Sequence, residues 1–327
     1  MKQAVAAGIL ALASGILSLT AAPTTGWKPT KTIELIAGGS PGGGYDMLCR
    51  IIQKCLVEEN LVGKSVIVVN KPGGSGSVAW NYVKGKKGQG EYLAATSTLI
   101  MLNNLLGSSA LTYKDFTPIA ALQTEWIGIA VQPESPWKTV KDLMEAIKAD
   151  PSSVPIGIGP ALGNNDHITF LKLSKTFGID PSKVKFMVYP GAGGEIVPAL
   201  LGGHIKATVI GLAEVLEHHK AGKMRIIGVS APDKLAFLPD VDTFKAQGLD
   251  VVFPHWRGLI APPGLKPAQI AFWDDAFAKM VQTKTWKTQI ANLGWSDFYQ
   301  NSEVHTKFLA EQTVVFDDLL SSVGLKK

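Results

Sequence analysis

The sequence predicts an α/β protein of two domains that share chain crossings, and three observations carry that prediction. Strand-like and helix-like segments alternate along the chain. The 327 residues are 46% hydrophobic and 18% charged, enough for a large core of the size that usually divides between two domains. A unit of strand, Pro-Gly loop, acidic residue and helix occurs in each half of the chain, with no low-complexity linker between. The alternation further predicts mostly parallel sheets.

Taken in order, residues 32–37 form an apolar strand that runs into the glycine loop 38–44. Beyond it Leu48, Ile51, Ile52, Cys55 and Leu56 recur at helical spacing on one face. Residues 65–69 read as a β-branched strand, closed by the turn Asn70-Lys71-Pro72-Gly73-Gly74. Residues 93–96 lead into the polar pair Ser97-Thr98, and 119–131 read as extended and apolar. A helix is expected over 139–149, with Thr139 as its cap, Asp142 in its first turn and Pro151 beyond its end. Further strands are expected at 155–158, 185–189, 206–210 and 225–230.

The first residues read as an export signal. Lys2 precedes an apolar run over 4–19, and the small residues Thr20, Ala21 and Ala22 follow. A signal peptide is therefore expected over 1–26, cleaved between 21 and 26. An uncleaved anchor is the alternative, but the run is short for about 30 Å of hydrocarbon and no basic stop-transfer cluster follows. Mean hydropathy is +0.16, yet this is the only long apolar run, so a polytopic membrane protein is excluded.

Composition removes other classes. Cys49 and Cys55 fall on one predicted helix, about 9 Å apart along its axis, and a disulfide needs less than about 7 Å between Cα atoms. They are expected to pack in the core. The six His are scattered and no CxxC exists, so no metal site is expected. Formal charge is +5, almost all from Lys, with only Arg50, Arg225 and Arg257 as Arg. Without an Arg-rich stripe, nucleic-acid binding is excluded. Weak attraction for anions is what remains.

The repeated unit is the strongest functional signal. Ser40-Pro41-Gly42-Gly43-Gly44-Tyr45-Asp46 follows the first strand, and Tyr189-Pro190-Gly191-Ala192-Gly193-Gly194-Glu195 follows the strand at 185–189. Glycine lets backbone N–H groups turn toward a bound group with no Cβ in the way. Each helix start adds about half a positive charge, so two facing loops would clamp an anion in a cleft. Tight packing alone also accounts for either loop, and Asp46 and Glu195 then simply offset the helix dipoles. No cofactor fingerprint competes: G-x-G-x-x-G breaks at Met47, and a P-loop ending at Gly63-Lys64-Ser65 breaks at Glu58. Gly38-Gly39-Ser40-Pro41-Gly42 matches G-x-S-x-G, so a secreted serine hydrolase using Ser40 with His255 or His305 is the enzymatic alternative. Against it, Pro41 has no N–H to complete an oxyanion hole.

Ordered motifs along the whole mature chain resemble the periplasmic substrate-binding proteins of tripartite tricarboxylate transporters, the Bug-type receptors. They are Ile33-Glu34-Leu35-Ile36 running into Pro41-Gly42-Gly43-Gly44-Tyr45-Asp46, Asn70-Lys71-Pro72-Gly73-Gly74, and Tyr113-Lys114-Asp115-Phe116. Further on come Leu200-Leu201-Gly202-Gly203-His204-Ile205, Lys220-Ala221-Gly222-Lys223-Met224-Arg225, and Trp256-Arg257-Gly258-Leu259-Ile260-Ala261-Pro262. The resemblance implies a two-lobed, type II-like periplasmic binding protein fold with a ligand cleft between lobes. Residues 27–128 and 254–327 would form lobe one, and 129–253 lobe two. It implies a non-catalytic, monomeric receptor without cofactors. Its ligand would be a small organic carboxylate (tricarboxylate, dicarboxylate or aromatic acid), passed to integral membrane permease subunits. A receptor serving signalling is the second alternative.

The resemblance also assigns ligand contacts, namely Gly42, Gly43, Gly44, Tyr45 and Asp46 in the first loop and Gly191, Ala192, Gly193, Gly194 and Glu195 in the second. Ser97 and Thr98 match a cleft-facing polar pair, and Asn164 and Asn165 match positions often held by Thr or Ser. Tyr45 replaces a common Thr, and Pro190-Gly191 replace Tyr and a basic residue in many members. Arg257 is read as a hinge residue ahead of a ligand contact, and Trp256 as core.

Overall fold

The computed structural model describes residues 26–39, 41–159, 161–189 and 193–327. Outside the described residues lie 1–25 of the expected signal, Ser40, and Pro190, Gly191 and Ala192 of the second loop. Among the described residues no helix is long and apolar enough to cross a membrane.

The chain begins with β1 (Ile33–Ala37), α1 (Gly44–Glu58), β2 (Val66–Asn70), α2 (Ser77–Lys84), β3 (Tyr92–Ser97) and α3 (Leu99–Leu105). One long strand, β4 (Thr117–Val131), then leaves this unit. Beyond it come α4 (Val140–Ala149), β5 (Ile156–Ile158), α5 (Asn165–Phe177), β6 (Phe186–Val188) and α6 (Gly193–Leu201). They are followed by β7 (Ala207–Gly211), α7 (Leu212–Lys220) and β8 (Arg225–Val229). The chain returns through β9 (Pro254–Ala261) and closes with α8 (Pro267–Met280), α9 (Lys284–Asn292), β10 (Ser296–Gln300) and α10 (Ser302–Ser322).

The predicted apolar stripe of α1 is its buried face, Leu48, Ile51, Ile52, Cys55 and Leu56 together with Cys49, and both cysteines are free. The predicted Thr139 cap is also present. Thr139 Oγ1 accepts from Asp142 N–H at 3.1 Å, and Asp142 Oδ2 accepts from Thr139 N–H at 2.9 Å. These reciprocal bonds satisfy two donors at the helix start.

The expectation of mostly parallel sheets is corrected. Among the named strands of the described residues, parallel pairing is confined to β1–β2, β1–β3, β5–β6 and β5–β7. Every partner of β4 runs antiparallel to it, and β3–β9 is antiparallel as well. The cause is the crossing itself. β4 carries the chain out and β9 brings it back, so the two lie side by side in opposite directions over Thr117↔Ala261 to Trp126↔Pro254. From Ile127 onward β4 changes partners to β7 and β8. A single strand thereby belongs to both sheets.

Apolar side chains pack around this frame in three groups. One holds α1, α8 and α9 against the first sheet through Ile33, Leu35, Trp273 and Trp286. Another fixes α6 and α7 to the second sheet through Ile196, Leu200, Ile210 and Val215. The largest runs across both sheets, from Trp80 and Ile100 to Phe170, Trp256 and Phe316. Helix α10 supplies part of it and packs against β4, α3 and α5, touching both sides of the crossing.

Candidate functional site

A cavity of about 650 Å³ opens where the two sheets meet. Its wall is assembled from the segments that follow β1, β3, β5 and β7, the carboxyl ends of the parallel strands, where open α/β sheets take ligands. Gly44 and Tyr45 come from the start of α1, Ser97 from the end of β3, Gly163, Asn164, Asn165 and Asp166 from the turn into α5, and Gly211 and Glu214 from the turn into α7. The crossing strands complete the floor with Glu125, His255 and Arg257. Leu99, Leu102, Leu106 and Leu162 give it an apolar side.

Of the predicted ligand residues, Gly44, Tyr45, Ser97, Asn164 and Asn165 line this cavity. Tyr45 hydroxyl and Ser97 Oγ are hydrogen-bonded at 2.7 Å. Burial pushes the Tyr45 phenol up to about 12, with the Ser97 bond and Arg257 opposing, so it stays neutral. Removing that hydroxyl by Tyr45→Phe is expected to lower stability by about 1 kcal/mol, read as an earlier urea midpoint. An unchanged midpoint would show that the bond carries nothing.

The other predicted residues that the structure describes lie outside the cavity wall. Asp46 is 1% exposed and faces its own loop. It accepts from Gly42 N–H at 2.9 Å, Arg50 Nε at 2.8 Å and Asn70 Nδ2 at 2.9 Å. Burial works against its charge, but these bonds outweigh it and hold the carboxyl below the usual aspartate value. Asp46 therefore shapes the first loop and makes no cavity wall. Gly42, at φ +82°, takes the left-handed backbone that favours glycine, and both it and Gly43 are exposed and line no part of the cavity. Gly194 and Glu195 are exposed at the start of α6. Gly193 is buried, and its N–H donates to the Glu214 carboxylate. The helix start expected to hold a ligand anion thus already holds a side chain.

Thr98 does not line the cavity but bridges its two walls, because its Oγ1 donates to Asn165 Oδ1 at 2.5 Å. Asn164 caps α5 by accepting from His167 N–H at 3.0 Å, and its amide also donates to Gly159 carbonyl. His167 Nδ1 accepts from Gly163 N–H at 2.9 Å, and burial lowers its pKa to about 4, which keeps the ring neutral. Both asparagines therefore hold the loop that forms the wall.

Arg257 is a wall residue and not merely a hinge. Both its terminal nitrogens lie 3.4 Å from Glu125 Oε2, and its guanidinium sits 5.4 Å from the Trp295 ring. It also reaches the start of α1, where a Cβ on Gly44 would lie 3.0 Å from Arg257 Nε. Trp256 is core as expected, 0% exposed with its ring 4.7 Å from that of His305.

Three carboxylates face the cavity: Glu125, Asp166 and Glu214. Burial first, then Glu214 and Glu125, raise the Asp166 pKa well above its usual value. Burial and Glu125 raise that of Glu214 against the Gly193 bond. His255 is held neutral by burial and by Arg257. Sequence reasoning missed Glu125, Asp166 and Glu214 as site residues. Glu125 did carry a signal, as the one charged side chain in the apolar stretch 119–131. Among the described residues no group of His, Cys, Asp and Glu could hold a metal ion.

Two sheets sharing a crossing strand over one cavity define a periplasmic binding protein fold. A TctC solute-binding protein from Polaromonas has the same fold, with a TM-score of 0.78 and 28% identity over 90% of this chain and 99% of that one. Residues 48–325 match the tripartite tricarboxylate transporter family receptor, and the chain belongs to that family. It is a family of transporter receptors and not of enzymes, so the hydrolase alternative built on Ser40 lapses. BugT of Bordetella pertussis is 23% identical over 325 residues, covering 98% of this chain and 96% of its own. Two Rhodopseudomonas palustris proteins share the fold at lower identity. MatC, solved with malate, has a TM-score of 0.68 at 19% identity over 89% of this chain and 99% of its own. The other, solved with adipate, has 0.72 at 20% over 90% and 98%.

Proposed function

We propose that this protein is an exported, monomeric receptor that captures a small organic carboxylate in the cavity and hands it to the membrane permease subunits of a tripartite transporter. Its lobes would be residues 27–128 with 254–327, and 129–253. One observation carries the reading. The start of α1 faces the cavity with Gly44 and Tyr45, and first-turn N–H groups have no partner within their own helix. Such a helix start favours a carboxylate by about 0.3–1 kcal/mol, and up to about 2 when partly buried. Malate and adipate in the R. palustris proteins support a carboxylate of this size.

A thermal-shift panel tests it. A ligand that binds only the folded state adds about 2.7 kcal/mol at a hundredfold excess over Kd, which raises Tm by about 5 °C. That shift is expected for at least one carboxylic acid, with or without further polar groups, and for none of the matching amides or sugars. A panel in which only uncharged compounds stabilise the protein would overturn the reading.

A further inference from the structure

We propose that the carboxylate held here also carries a protonated amine, seated among Glu125, Asp166 and Glu214. The proposal rests on the receptor reading above and narrows its ligand class. The three carboxylates come from separate elements, β4, the first turn of α5 and the first turn of α7, yet all line one cavity. Two of them converge on a single point. The place a Cβ on Gly211 would occupy lies 3.0 Å from Glu125 Oε1 and 3.1 Å from Glu214 Oε1.

Positive charge within the protein does not match them. The starts of α5 and α7 offset Asp166 and Glu214 by about half a charge each. Glu125 stands in mid-strand with no helix behind it. It is only 8% exposed, its Oε2 meets Arg257 at 3.4 Å, and its Oε1, 3.0 Å from the place of a Gly211 Cβ at the cavity wall, has no hydrogen-bond donor among the described residues. His255 beside it is neutral. Lys327 also lines the cavity but lies along Gly107 and pairs with none of the three. A buried carboxylate short of donors is costly, and a plain dianion or trianion would add repulsion. An ammonium brings three N–H donors and a positive charge that favours the ionised, accepting form of Asp166 and Glu214, whose pKa values are raised without it. Its carboxylate would lie toward the start of α1 and Ser97, and the leucine side of the cavity suits the carbon skeleton between them.

Matched series, read by calorimetry on the mature protein, test this. They are aspartate, malate and succinate; 4-aminobutyrate, 4-hydroxybutyrate and butyrate; and 4-(aminomethyl)benzoate, 4-(hydroxymethyl)benzoate and 4-methylbenzoate. In at least one series the amine is expected to bind tenfold or more tightly than both counterparts. Glu125→Gln, Asp166→Asn and Glu214→Gln, each checked for a retained melting transition, should pull that ratio toward one. A merely structural role for these acids would move stability and leave the ratio alone. Hydroxy or unsubstituted acids binding as tightly as the amines in every series that binds, or a ratio untouched by all three variants, overturns the proposal while the carboxylate-receptor reading stands. Stabilisation by uncharged compounds only takes both down.

Discussion

Gly258→Ala is expected to cost about 3 kcal/mol of stability, the upper end for overpacking a filled interior. Gly258 lies in β9 with Thr96 of β3 on one side and Ala121 of β4 on the other. A Cβ there would stand 2.0 Å from the Ala120 carbonyl oxygen and 2.9 Å from Ala121 Cα. Both are backbone atoms of a central strand, so neither can swing away as a side chain would. The β4–β9 register also shifts on either side of this point, between Pro118 and Ala120 and between Ala121 and Gln123. A methyl group can be admitted only by spreading the strands that join the sheets. At about 2–4 °C per kcal/mol for chains somewhat shorter than this one, Tm should fall by roughly 5–10 °C. Gly39→Ala is the control, because a Cβ there meets nothing within 4 Å. Equal melting of the two variants would show the spacing to be looser than described.

Arg257→Met is expected to cost a similar amount, about 3 kcal/mol, for an electrostatic reason. Arg257 and Glu125 have side chains only 13% and 10% exposed, so the pair is largely out of water. A buried pair contributes little net stability, but removing one partner strands the other. Here the stranded carboxylate would also face Asp166 and Glu214 without the nearest cation. Glu125→Gln alone should cost less, about 1 kcal/mol, because its carbonyl can still accept from Arg257 while the repulsion from Asp166 and Glu214 is relieved. Added to Arg257→Met, it should restore at least half the loss. Denaturant unfolding of the single and double variants measures the coupling. Additive costs would mean that the contact carries no energy, and its guanidinium would then matter only through Trp295.

The strands that could be read from sequence were apolar runs bounded by glycine, proline or asparagine. β1, β2, β4, β7 and β8 all lie within two residues of their expected limits. Direction of pairing was not legible, because periodicity records which side of a strand is buried and says nothing of its neighbours. β9 takes in the motif at 256–261, whose Arg257 and Gly258 break an apolar run, and the polar segment of β10 offers none. The site was legible in the same uneven way. The glycine-rich turn after the first strand led to Gly44 and Tyr45, and the family resemblance led to Ser97, Asn164 and Asn165, all in the wall. An acid in the first turn of a helix is ambiguous, because its carboxylate can fold back on the loop or turn outward to the cleft. Asp46 does the first and Glu214 the second, and their local sequences do not separate them. Only the distant partners do, Asn70 for one and Gly193 for the other.

Strand β4 has a thermodynamic consequence beyond its part in the floor of the cavity. Its first half is hydrogen-bonded into one sheet and its second half into the other, and the largest apolar group is continuous across both. Melting either sheet would free half of β4 and open that shared core. The surviving half would then lose both its edge partner and its apolar cover. Local opening on one side therefore draws its cost from both, and the two sheets form one cooperative unit. A receptor built this way can let its walls move about the crossing without giving either wall the freedom to unfold alone.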